Sequence, residues 1–181
     1  MGELTEFFTS GGEVWFRRGG DFLPLTESSP VVSFLVERVR ELYPDAYKAL
    51  CACYEKSKAN KVYFDYLVAR RFCKCNFGPL DHTKKDVDGR VFHFERVHCP
   101  LQGECLHEGV ICEPVMNTKL TEAEKRVMRL VVDGKCNQEI AEELYLSPNT
   151  VKRHISVSYV KTGSRNRADF VSYAKENSIF E

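Results

Sequence analysis

No stretch of this 181-residue sequence is apolar for long enough to cross a bilayer. The first residues, with Glu3 and Glu6, lack the basic-then-apolar order of a secretory signal, so the chain is expected to be cytoplasmic and to have no membrane partner. Net charge is also lacking: 26 basic side chains balance 26 acidic ones. The division along the chain is shallow, with 15 basic and 17 acidic residues over 1–117 and 11 and 9 over 118–181, which excludes a non-specific polycation. The eight cysteines contain no C-x-x-C pair. In a cytosolic chain they argue against a disulfide framework and leave metal binding, redox chemistry or burial. One absence is local: no Asp or Glu falls between Leu144 and Ala168, while Lys152, Arg153, Lys161, Arg165 and Arg167 all do. A phosphate backbone would be attracted there.

A length of 181 residues with 43% hydrophobic content fits two domains better than one. Four helices are predicted between Leu120 and Ile179. Thr121 with Glu124 three residues on forms a capping box, Val127, Leu130 and Val131 share a buried face, and Gly134 suits a left-handed cap. Asn137 is expected to cap a second helix whose apolar face is Ile140, Ala141 and Leu144. Ser147-Pro148 combines a capping hydroxyl with a proline at the first helical position and opens the third. Its inner face is Val151, Ile155 and Tyr159, so Asn149, Thr150, Lys152, Arg153 and Ser156 point outward. A short helix, a tight turn and a capped second helix that is basic at its start is the geometry by which an α-helix enters a major groove.

This segment resembles the C-terminal LuxR-type (GerE-like) helix-turn-helix of bacterial transcription regulators. The matching residues are Leu120-Thr121 with Glu124, Gly134, Asn137, Glu139-Ile140-Ala141, Leu144, Ser147, Thr150-Val151-Lys152, His154, Lys161, Gly163, Arg167-Ala168 and Val171. The resemblance implies base contacts by Lys152, Arg153 and Ser156, phosphate contacts by Asn149, Thr150 and Lys161, and a structural role for His154. It also implies a homodimer formed through the fourth helix, Arg167 to Asn177, with Phe170, Tyr173 and Ala174 as contacts and Ala168 and Val171 left for its core. Ser158 and Thr162 stand where branched apolar residues are usual, which predicts a third helix that is less firmly packed or covered by another part of the protein.

Ahead of this domain, Gly11-Gly12 and Gly19-Gly20 around Val14-Trp15-Phe16 suggest a small hairpin or a loosely ordered arm. Ser28-Ser29-Pro30 marks a helix start, followed by an apolar stripe of Val32, Leu35, Val36, Val39 and Leu42 before Pro44. Asp45 to Lys58 and Asn60 to Phe72 read as two more helices, with Cys51 and Cys53 buried on different faces of the first. Composition changes at Phe72. An alternating strand is read over Val91 to Val97, and Asp88-Gly89 as a turn within a hairpin over Asp81 to Val97. About forty residues with little apolar bulk need a staple. Cys75, Cys99, Cys105 and Cys112 are the expected ligands of one metal, with Cys73 an alternative to Cys75 and His93, His98 or His107 able to replace a thiolate. Zinc is the expected ion; an iron–sulfur cluster on the same thiolates is the alternative. This segment is similar to those preceding such domains in short regulators of Bacteroides-like bacteria.

The expected fold is therefore mainly α: N-terminal helices over 1–72, a Cys-rich β-containing subdomain with a metal site over 73–117, and a four-helix LuxR-type helix-turn-helix over 118–181. The expected function is a sequence-specific transcription regulator that binds double-stranded DNA and is not an enzyme. The alternatives are a protein-interaction module built on the helix-turn-helix surface and a redox- or iron-sensing regulator. A thiol oxidoreductase using Cys73-Lys74-Cys75 lacks a thioredoxin-like context and a paired base. A phosphoryl-receiver domain needs alternating strands and helices that residues 28–72 do not have.

Overall fold

A computed structural model describes residues 4–80, 85–88, 91–177 and 179–180. The chain divides into two compact units, Met1–Val115 and Met116–Glu181. Among the described residues there are seven α-helices, a three-stranded antiparallel sheet and a two-stranded ribbon. No helix among them is long and apolar enough to cross a membrane.

The first unit opens with β1 (Leu4–Ser10), β2 (Glu13–Arg18) and β3 (Asp21–Pro24), a meander in the order β1-β2-β3. Gly11 and Gly12 join β1 to β2 with φ of 60° and 81°, the left-handed pair that a two-residue hairpin requires. The sheet is thus one strand larger than a hairpin, and no loose arm. Phe7, Val14 and Phe16 bury one face of it. Helix α1 (Val31–Leu42) follows Pro30 and buries Val31, Val32, Leu35, Val36 and Val39; Pro44 then starts α2 (Pro44–Cys53) at a position where a missing N–H costs nothing. The single helix expected over Asp45 to Lys58 stops at Cys53 and gives way to a 3₁₀ turn, Glu55–Ser57.

Helix α3 (Lys61–Asn76) starts at Asn60, whose side chain accepts the Tyr63 N–H at 3.2 Å, and passes the expected end at Phe72. Nothing between Phe72 and Gly78 breaks a helix, and Phe72, Cys73 and Asn76 continue its buried face. The division expected at residue 72 therefore falls inside a helix, and the Cys-rich segment belongs to the same compact unit as the helices before it. Of the hairpin expected over Asp81 to Val97, Asp81 and Gly89 lie outside the described residues. Within them, β4 (Val87–Asp88) pairs with β5 (Val91–Phe92), and the strand ends there because the Glu95 N–H turns to the Asn76 carbonyl at 3.0 Å. Phe92 and Phe94 then join Phe72, Phe77 and Tyr43 in one aromatic core, with ring centroids 5.2 to 6.3 Å apart. The segment's few apolar groups borrow a core rather than build one. The Phe7 N–H donates to the buried carboxylate of Asp86 at 2.6 Å, tying the sheet to this ribbon.

The second unit consists of α4 (Glu122–Val132), α5 (Asn137–Glu143), α6 (Pro148–Thr162) and α7 (Arg167–Glu176). The Thr121–Glu124 capping box is formed on both sides, at 2.7 and 3.3 Å. Helix α5 is capped one residue earlier than expected, at Cys136, whose N–H donates to Glu139 at 2.6 Å. Val127, Met128, Val131, Ile140, Val151, Ile155, Phe170 and Ala174 close a single core. Helix α7 is rotated from the expected phase: Phe170 and Ala174 are buried while Ala168 is exposed and Val171 half-buried. Phe170 lies against Tyr159, Tyr173 and Phe180, so it and Ala174 are core residues and not contacts for a second subunit. Ser158 is fully buried on α6, and among the described residues its hydroxyl has no hydrogen-bond partner.

Two substitutions in the second unit follow. Phe170→Ala should lower its unfolding free energy by about 3–5 kcal/mol, the cost of truncating a buried aromatic. Ser158→Ala should raise it by about 1 kcal/mol, because it removes an unpaired buried hydroxyl. Denaturant titration of each variant measures both; a destabilised Ser158→Ala would mean that the hydroxyl has a partner after all.

Candidate nucleic-acid interface and a cysteine-lined cavity

Helix α6 presents the residues that the sequence singled out. Ser147 accepts the Thr150 N–H at 3.1 Å and its hydroxyl lies 2.8 Å from that of Thr150, so Thr150 is partly occupied in capping. The turn before it is tight: Leu146 donates to the Ala141 carbonyl at 2.9 Å, with Tyr145 in a left-handed conformation, φ 53°. Val151, Ile155 and Ser158 face inward, which leaves Asn149, Lys152, Arg153 and Ser156 exposed along one side. Val157 and Val160 are exposed beside them. His154 is half-buried.

The five cations of the acid-free stretch are not equivalent. Lys161 lies 2.7 and 2.9 Å from the two carboxylate oxygens of Glu124. Burial would raise that carboxyl's pKa, but hydrogen bonds from Lys161 and Thr121 prevail and hold it below the usual range. Arg165 clasps Asp169 at 2.9 and 3.3 Å, holding that carboxyl down to about 2. Arg167 donates to the Lys135 carbonyl at 2.5 Å. Lys152 and Arg153 are the remaining two, exposed and without an acidic partner among the described residues. Lys161, expected at a phosphate, has its ammonium taken by α4. Sequence spacing could not show this, because Glu124 is 37 residues away.

Residues 118–174 match the family described as bacterial regulatory proteins, luxR family. They are a LuxR-type helix-turn-helix domain. The family is one of regulatory proteins and is not enzymatic. The chain is 39% identical over 64 residues to the probable transcriptional regulator ycf29 of Cyanophora paradoxa, covering 35% of this chain and 30% of that protein. It is 40% identical over 62 residues to the transcriptional regulatory protein DesR of Bacillus subtilis, covering 34% and 31%. A further 58 residues' likeness, 40% identical, is to the CsgBAC operon transcriptional regulatory protein of Escherichia coli, covering 32% and 27%. The chain therefore spans about 30% of the length of the first two of these curated relatives. No solved structure matches it.

The first unit holds a cavity of about 520 Å³. Cys75, Cys99, Cys105 and Cys112 all line it, together with His98 and His107. Cys73 does not: it is buried in the core, where desolvation and the nearby Asp86 charge push its thiol well up. Burial also raises Cys75, against the pull of the Arg71 guanidinium hydrogen-bonded to it, and the Cys112 and Cys99 thiols lie near enough to raise it further. Among the described residues no three His, Cys, Asp or Glu groups are gathered closely enough to hold a metal as they stand. Cys53, expected to be buried, is exposed at the C-terminal end of α2 with its sulfur 3.2 Å from His107 Nε2, a pair that no sequence signal links. All eight cysteines are free thiols.

The Glu124–Lys161 pair yields a test of what Lys161 does. Lys161→Met should cost about 1.5–3 kcal/mol of stability, the range for a hydrogen bond to a charged group. A depressed carboxyl stabilises the fold above its ordinary pKa and loses that contribution as pH falls through its folded value. The gap between variant and parent should therefore be full at neutral pH and shrink below about pH 4.5, the carboxyl's ordinary value. Thermal melts from pH 7 to pH 3 measure it, and a gap independent of pH would remove Glu124 from the account.

Proposed function

We propose that the protein is a transcription regulator whose second unit binds double-stranded DNA, with α6 in the major groove. The observation that carries this reading is the pair Lys152 and Arg153, exposed at the start of a capped helix and unneutralised, beside Asn149 and Ser156. A guanidinium or ammonium at that place reaches base edges, with guanine O6 and N7 as the best-fitting acceptors. Asn149 and Thr150, in the first turn, lie where helix N-terminal groups meet backbone phosphates. Lys161 then acts indirectly, by fixing α6 against α4. The names of the relatives, all transcriptional regulators, favour the same reading.

A second subunit would be engaged through the outward side of α7. The side chains available there are Ala168, Val171, Ser172 and Lys175, since Phe170 and Ala174 are spent on the core. Ala168 and Ser172 leave room for two such helices to approach, and a two-fold pair would read half-sites about one duplex turn apart.

Titration of the purified chain against a randomised duplex pool tests the reading. Binding should weaken steeply with salt. Lys152→Ala or Arg153→Ala should each cost about 1–3 kcal/mol at the selected site and blur its preference. A chain that binds no duplex, or an Arg153→Ala variant with unchanged site and affinity, overturns it; retention of a protein partner in place of DNA would make the surface an interaction module. Separately, Val171→Asp should halve the mass seen by sedimentation while the melting temperature stays within a few degrees. An unchanged mass would place assembly elsewhere.

A further inference from the structure

The thiols around the cavity of the first unit are arranged by two different devices. Cys75 is fixed on the last turn of α3, and its neighbour Asn76 is a buried clamp. The Asn76 amide donates to the Ile111 carbonyl at 2.8 Å, and its carbonyl oxygen accepts the Glu113 N–H at 3.0 Å. These two bonds bracket Cys112, whose thiol lies near that of Cys75. Between Cys99 and Cys112 the chain coils back on itself repeatedly: Gln102 donates to the Cys99 carbonyl at 3.1 Å, Cys105 to Leu101 at 2.9 Å, Glu108 to Cys105 at 3.1 Å and Ile111 to His107 at 3.0 Å. Residues 93–119 contain no helix or strand, and of the apolar side chains between Cys99 and Cys112 Ile111 alone is buried; Leu101, Leu106 and Val110 are exposed. Such a stretch has too little burial to fix its own turns.

We propose that Cys75, Cys99, Cys105 and Cys112 close around one zinc ion and that this ion fixes the stretch from Cys99 to Cys112. Because the four thiols line one cavity without yet forming a ligand set, binding has to draw the sulfurs from its wall into a tetrahedron, with zinc–sulfur distances of about 2.3 Å. The clamp at Asn76 supplies two of the four positions in advance. Binding replaces four thiol protons by the metal, so the four-thiolate centre carries two negative charges in excess. Arg71, hydrogen-bonded to Cys75, and Arg96 on the cavity wall offset that charge. Cys53 and His107, paired with each other, and Cys136, in the second unit, are not ligands.

Elemental analysis of the full chain, purified under reducing conditions from zinc-replete medium, is the test. The expected result is one zinc per chain, with four thiols becoming reactive to a thiol reagent when a strong chelator removes it. Cobalt substitution should give intense thiolate-to-metal charge-transfer bands and the visible bands of a tetrahedral ion. Cys105→Ser should lose the bound zinc, whereas Cys53→Ser and Cys136→Ser should leave stoichiometry and spectrum unchanged. Should Cys105→Ser fail to fold, the thiol count and the cobalt spectrum of the parent still decide. A parent chain without zinc that takes up no cobalt overturns the proposal, as does zinc loss in Cys53→Ser. Iron with acid-labile sulfide would also overturn it in favour of a cluster on the same thiolates.

Discussion

The geometry of the second unit depends on a single carboxylate. Glu124 closes the capping box at the start of α4 and also accepts Lys161 from the far end of α6, while being almost wholly withdrawn from water. A buried carboxylate left alone would cost several kcal/mol, so both sets of donors are needed to keep it there. Because one donor is the Thr121 backbone and the other a side chain of α6, the cap of one helix fixes the position of another. With Lys161 held inward, the helix period places Val151, Ile155 and Ser158 toward the core and Lys152, Arg153 and Ser156 away from it. The outward face of α6 is thus set from α4.

What the sequence disclosed about this unit depended on how local the signal was. Caps and stops are local: Thr121 with Glu124, Gly134, and Ser147 with Pro148 marked the ends of helices to within a residue or two. Pairings across the fold are not. The acid-free run from Leu144 to Ala168 looked like five available cations, yet Glu124, Asp169 and the Lys135 carbonyl engage three of them. The phase of α7 was misread for a related reason. A ten-residue helix with Ala168, Phe170, Val171, Tyr173 and Ala174 has apolar residues all round, so its period does not say which side is inside. Contacts from other elements settle it: Phe170 packs against Tyr159 and Phe180, and Ala174 is buried with it.

In the first unit legibility fell as contacts became longer in range. The stripe of α1 was readable from Val32 to Val39 because it repeats at helical spacing. The end of α3 was not, since the change in composition at Phe72 is chemical and not conformational. Nor could the sequence show that Phe92 and Phe94 dock on Tyr43 and Phe72, which removes much of the reason for regarding residues 73–117 as a fold in need of its own staple. The region that lacks burial is narrower, the turns from Cys99 to Cys112. The four cysteines named for their spacing all reach one cavity wall, whereas Cys73 points to the core.

The local charge also bears on how the proposed DNA reading can work at all. Each phosphate contact by a cation contributes a slope of about 0.9 to the logarithmic salt dependence, and its release of counterions supplies most non-specific affinity. A unit with 11 basic and 9 acidic residues, of which α6 leaves two cations unpaired, supplies little of that affinity by itself. Two such units on one duplex double the number of contacts while the loss of translational freedom is incurred largely once, so the second binds at high effective concentration. Weak single-unit binding then becomes an advantage, since only a site with both half-sites correctly spaced retains the pair. Under the proposed dimeric reading, selectivity would therefore come from pairing two poorly charged readers, each too weakly charged to hold a duplex by itself.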